Sequence, residues 1–184
     1  MDEKFVIKIA KQAVENFILN KEKISVPERY PKELDDKRGI FVTIYNVNKV
    51  KELRGCVGLP YPEMPLIQGI IEAAVSACRD TRFSPLKKEE LKNLKLEISV
   101  LTEPELIEMK EPKEYLKKIK IGRDGLIIKK GIMGGLLLPQ VPVEQGWDVE
   151  QYLENLCYKA GLLADSWLDK SVKIYRFEAK IIKE

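Results

Sequence analysis

GIFVTIYNVNKVKELRGCVGL, residues 39–59, sets the architecture of this chain. Ile40, Val42 and Ile44 alternate with Phe41, Thr43 and Tyr45, the period of two expected of a half-buried strand. Asn46 to Lys49 carries turn chemistry, and Leu53 to Leu59 supplies a second strand. Strands this close in sequence join most simply as an antiparallel hairpin, because a parallel pair needs a long crossover. The second strand contains Leu53-Arg54-Gly55-Cys56-Val57-Gly58, which sets a cation, two glycines and a thiol in an apolar run. In an unbroken strand, Arg54, Cys56 and Gly58 project from one face, and Leu53, Gly55, Val57 and Leu59 from the other.

Elements on either side of the hairpin complete an α+β pattern. Phe5, Ile9, Val14, Phe17 and Ile18 predict a helix over 3–20, and residues 25–38 read as an irregular surface loop. Pro60, Pro62 and Pro65 end the hairpin and open a helix from about Met64 to Cys78. Arg79 to Pro85 is a charged helix end passing into a turn, with a short helix near Lys87 to Leu91. Leu94 to Leu101 alternates as a strand, with Glu97 on its polar face. Pro112 begins a helix through about Ile119, and Gly122 to Gly125 is a turn before a strand over Leu126 to Lys129. Gly131 to Gly135 reads as a further turn, Leu136 to Leu138 as a strand, Asp148 as the N-cap of a helix to Lys159, and Val172 to Ile182 as one last strand. Short turns between strands favour a mixed, largely antiparallel sheet with flanking helices over a strictly parallel one.

Composition narrows the function classes. The chain has 184 residues, 45% hydrophobic and 33% charged, with a net charge of +3. That suits a single domain over 1–184, or two closely packed lobes. No secretory pattern and no run of 18 apolar residues occurs, so no membrane association is expected. Three widely spaced cysteines at 56, 78 and 157, with no CxxC spacing, fit a reducing cytoplasm. There is no histidine. That excludes a Ser-His-Asp triad, a Cys-His dyad and every imidazole-dependent zinc site within the chain. No metal and no cofactor is implied. Eight basic residues against three acidic ones over 109–130 make a basic window, read either as a solvated helix face or as a weak nucleic-acid candidate.

The chemistry candidates gather around the hexapeptide. Cys56 is either a nucleophile made more thiolate-like by Arg54, or a small buried hydrophobe. Glu97 is the base candidate, able in principle to pair with Arg54 or Arg82 or to take a proton from Cys56. Gly55 and Gly58 serve a bulge or allow a close approach to the backbone. Asp80 and Arg82 either cap the helix end or bind an anion. Cys78 and Cys157 fall on apolar helix stripes and read as core.

These residues carry a resemblance. The hexapeptide, Asp80-Thr81-Arg82-Phe83-Ser84-Pro85, Glu97 to Leu101, Gly135-Leu136-Leu137-Leu138-Pro139-Gln140-Val141 and Leu156 to Leu162 together resemble the AMMECR domain family over nearly the whole chain. The resemblance implies two unequal lobes with the hexapeptide near a cleft between them. Arg54, Gly55, Gly58, Asp80, Arg82 and Gln140 are then candidate ligand contacts. It also implies a modification pathway shared with a radical-SAM enzyme and a Memo-like protein, without naming a reaction. Many relatives carry His where this chain has Asp124, so no His-assisted mechanism carries over. Two functions follow. One is a domain that binds a small molecule or partner protein. The other is a cysteine- or carboxylate-dependent enzyme acting on an anionic or nucleotide-like substrate. The sequence sets no oligomeric state.

Overall fold

The hairpin forms as β1 (Ile40–Asn46) and β2 (Glu52–Leu59), antiparallel, with Ile40 opposite Leu59 and Thr43 opposite Cys56. The computed structural model describes residues 1–184 apart from Lys49 and Pro62. Lys49 of the expected turn and Pro62 of the expected strand-ending prolines therefore lie outside the described residues. At the turn, the Asn46 side chain accepts the Asn48 N–H at 3.0 Å. The chain divides into two units, Met1–Leu101 with Lys180–Glu184, and Thr102–Ala179.

In the first unit, β3 (Leu94–Leu101) pairs antiparallel with β1, and the last strand, β8 (Ala179–Lys183), completes a sheet of order β2-β1-β3-β8. Ile40, Val42, Ile44, Leu94, Leu96, Ile98 and Val100 share one face and are buried. They form a core with α1 (Glu3–Asn20) and α2 (Leu66–Cys78), whose inward residues include Val6, Ile9, Val14, Ile67, Ile70 and Ala74. Asp2 caps α1 by accepting the Phe5 N–H at 3.0 Å. The 25–38 segment contains one short 3-10 turn, Lys32–Asp35, and the short helix near 87–91 is also 3-10, over Lys88–Asn93.

The second unit has the sheet order β4-β7-β5-β6, from β4 (Glu105–Leu106), β5 (Gly125–Lys130), β6 (Met133–Leu137) and β7 (Lys173–Phe177). Its helices are α3 (Tyr115–Lys118), α4 (Gln140–Gln145) and α5 (Val149–Lys159). Leu126, Ile128, Tyr152, Leu153, Leu156, Cys157 and Ile174 form its core. Asp148 caps α5 in a reciprocal pair with Gln151.

Two expectations change, and one helix, α4, was not expected. Only the tip of the 131–135 segment turns, since Met133 to Gly135 already pair with β5. The expected strand over 172–182 is two strands in two sheets. Glu178 separates them because its N–H donates to Thr102 Oγ1 at 2.9 Å and its carbonyl accepts the Thr102 N–H at 2.9 Å. Helix α4 forms despite Pro142, which sits in a first turn where the missing N–H has no helical partner to lose.

Candidate functional site

The hexapeptide lies on an edge strand, and that position governs its chemistry. The open edge at Cys56 is closed by two side chains. The Cys56 N–H donates to Asp80 Oδ2 at 3.0 Å, and an Arg82 terminal nitrogen donates to the Cys56 carbonyl at 3.1 Å. Arg82 also grips Asp80 with Nε at 3.0 Å and the terminal nitrogen at 2.6 Å. The pair stands where a further strand would dock. The Asp80 carboxylate is nearly enclosed, yet the Arg82 guanidinium holds its carboxyl well below the ordinary range, overriding the opposing effect of burial. Arg82 thus has an internal anion, and its expected meeting with Glu97 does not form.

Arg54 departs from simple alternation. The register slips between Ile44 and Tyr45, so that Ile44 faces Gly55 and Tyr45 faces Leu53, leaving Arg54 as the bulged residue. Its side chain turns to Glu90, with Nε donating at 2.8 Å and a terminal nitrogen at 3.1 Å, and it also donates to the Ser84 carbonyl at 3.2 Å. Arg54 is only 8% exposed. The two bonds from Arg54, against the effect of burial, hold the Glu90 carboxyl down to about 2. Arg54 is therefore engaged by an internal carboxylate from a distant segment.

Cys56, Thr43 and Glu97 form one cross-strand row on one sheet face. Thr43 Oγ1 donates to the Cys56 sulfur at 3.3 Å. Glu97 lies two strands away from Cys56, roughly 9–10 Å by strand spacing, and pairs with Lys183 at 3.3 Å. The two glycines admit close neighbours from within this unit. A Cβ on Gly55 would lie 2.1 Å from the Ala77 carbonyl oxygen, and one on Gly58 would lie 2.2 Å from the Phe41 ring. Gly55 seats α2 on the sheet, and Gly58 leaves room for Phe41.

A pocket of about 300 Å³ opens beside this edge. Phe17, Ile18 and Lys21 at the end of α1 line it, with Cys78, Arg79, Asp80 and Thr81 after α2 and Phe83, Pro85 and Leu86 in the following turn. Asp80 links it to the hexapeptide, lining the pocket while bonding to the Cys56 peptide. Lys21 Nζ and the Arg79 guanidinium lie 5.7 and 5.8 Å from the centre of the Phe17 ring. Among the described residues, neither cation has a carboxylate partner. Lys21 holds the α1 C-cap at φ 62°, its N–H donating to the Phe17 carbonyl. The thiol lining the pocket belongs to Cys78, and burial pushes it up to about 12. Cys78 thus packs on the core with one side against the pocket, whereas Cys157 is fully buried.

Other expected sites are placed elsewhere. Gln140 begins α4 in the second unit, and its side-chain oxygen is buried with no hydrogen-bond partner among the described residues. Asp124 is buried, accepting two bonds from Arg123 at 2.6 and 2.9 Å and the Lys120 N–H at 2.8 Å. The basic window is partly neutralised within the second unit: Lys118 pairs with Glu114, Lys130 with Asp169, and Arg123 with Asp124. Lys21, Arg79 and Phe17 were not singled out as site residues by sequence. Their available signals are two cations at helix ends, where the helix dipole favours them.

The sequence pattern of the AMMECR1 family matches residues 7–182. The chain belongs to the AMMECR1 family. A protein of Methanocaldococcus jannaschii is 55% identical over 181 residues, covering 98% of this chain and 89% of its own. One from Pyrococcus abyssi is 51% identical over 183 residues, with coverage of 98% and 89%. The crystal structure of an uncharacterized protein from Pyrococcus horikoshii superposes with a TM-score of 0.90 at 49% identity, covering 98% of this chain and 90% of its own. This likeness agrees with the α+β fold of the AMMECR1 chain. Among its described residues, no helix is long and apolar enough to cross a membrane.

Proposed function

We propose that this AMMECR1 chain is a small-molecule-binding domain whose ligand occupies the pocket between the ends of α1 and α2, with the hexapeptide as its frame. One observation carries the reading. Asp80 lines the pocket while its carboxylate is fixed by the Cys56 N–H and Arg82, so the signature strand holds a residue of the pocket wall in place. This order supports preorganised binding.

Thiol catalysis has less support. The Cys56 sulfur accepts from Thr43, Glu97 is paired with Lys183 two strands away, and Arg54 is paired with Glu90. On the family resemblance, we place the ligand in a modification pathway with a radical-SAM enzyme and a Memo-like protein. The three free cysteines support a cytoplasmic setting.

Cys78 provides a native reporter. In a Cys56→Ser background, iodoacetamide alkylation of Cys78 at alkaline pH is followed by mass spectrometry with neutral, cationic and anionic aromatic fragments. At least one class should slow the reaction at Cys78. An unchanged rate with every class would overturn the reading.

A further inference from the structure

The charges around the pocket go further than its existence. Its floor and walls are apolar, from Phe17, Ile18, Phe83, Pro85 and Leu86. Of its charged lining residues, Asp80 is held by Arg82, whereas Lys21 and Arg79 lie over the Phe17 ring with no carboxylate partner among the described residues. Both cations are solvent-exposed at their helix ends, and a cation on an aromatic face is held weakly enough to turn to a better partner. The site therefore offers an apolar chamber with two positive charges beside it and one neutralised carboxylate. Neutral apolar compounds leave those charges unused, and cations meet repulsion from both.

Resting on the pocket as the binding site, we infer that its ligand is an aryl or similarly compact apolar phosphate monoester, with the apolar body inside and the dianion held by Lys21 and Arg79. A phosphate offers several acceptor oxygens to two donors approaching from different helices, and the Arg79 fork can engage two of them. The volume sets an upper size. About 300 Å³ accommodates a fused two-ring body, at the small end of ligand pockets.

The probes are 1-naphthyl phosphate, 1-naphthol and inorganic phosphate, titrated calorimetrically into the intact chain. Naphthyl phosphate should bind at least tenfold more tightly than either fragment. Lys21→Gln and Arg79→Gln should each weaken it about tenfold, consistent with one exposed charge pair of moderate strength. Lys21→Arg should restore most of the loss, and added salt should weaken binding. Neither exposed substitution should lower Tm appreciably, so a loss of binding is not a loss of fold.

Equal affinity for 1-naphthol would overturn the anionic head, and equal affinity for inorganic phosphate would overturn the apolar body. Tight binding that neither substitution weakens would place the probe elsewhere and overturn the assignment. Failure of the pocket itself looks different. Then no fragment, charged or neutral, protects Cys78 from alkylation. Protection by neutral or cationic aromatics alone leaves the pocket in place and refutes only the phosphate class.

Discussion

The Arg54–Glu90 pair should make the stability of the first unit depend on pH in a calculable way. Glu90 falls from 4.5 in an unfolded chain to about 2 when Arg54 bonds it. A depressed carboxyl stabilises the fold above its unfolded value and loses that contribution as pH falls toward the folded value. The shift corresponds to about 3 kcal/mol at pH 7 and about 1.4 kcal/mol at pH 3. The side chains are only 9% and 19% exposed, so screening by water takes little of this. Removing one member of such a pair costs about 3–5 kcal/mol by general experience, which agrees. The assay is denaturant unfolding of the parent and of Glu90→Gln at pH 7 and pH 3. The gap between them should shrink by more than half at the lower pH. Arg54→Ala should behave as Glu90→Gln does at pH 7. A gap that stays constant between the two pH values would refute the reasoning, because the stabilisation would then not come from the ionised carboxylate.

Three further outcomes follow from particular contacts. Gly55→Ala should cost at least ~3 kcal/mol, because its Cβ meets the main chain of α2, whereas Gly58→Ala should cost about 1–2 kcal/mol, since a Phe41 ring can swing aside; the order is read from chemical denaturation. Lys21→Gly should raise stability by about 0.5–1 kcal/mol by relieving the left-handed cap, while weakening naphthyl phosphate binding in the same preparation. Without ligand at pH 8, Cys78 should alkylate slowly, since a thiol near 12 is about one part in ten thousand thiolate, and its rate should keep rising with pH beyond 10.

Periodicity carried most of the fold. The strands β1 and β3 and the helices α1, α2 and α5 follow from spacing, because each buries one face against a core of its own unit. Glu178 did not show itself as a break, since residues 172–182 hold no proline or glycine and only the distant Thr102 ends the strand. The bulge at Arg54 was equally hidden, and it turned the expected anion-binding arginine toward Glu90, 36 positions along the chain. Asp80 and Arg82 read as a helix cap or an anion site, and their grip on the Cys56 main chain had no local signal. The pocket was the least legible feature. Phe17 read as a stripe residue, and its nearness to both Lys21 and Arg79 depends on how two helix ends meet.

The most direct measurement is the affinity of 1-naphthyl phosphate for two variants in parallel, Cys56→Ser and the double substitution Lys21→Gln, Arg79→Gln. If the hexapeptide frames the site and the pocket holds the ligand, Cys56→Ser binds within about twofold of the parent, while the double variant binds at least about tenfold more weakly. Loss of binding in Cys56→Ser, with binding kept in the double variant, would contradict the account and return the site to the thiol.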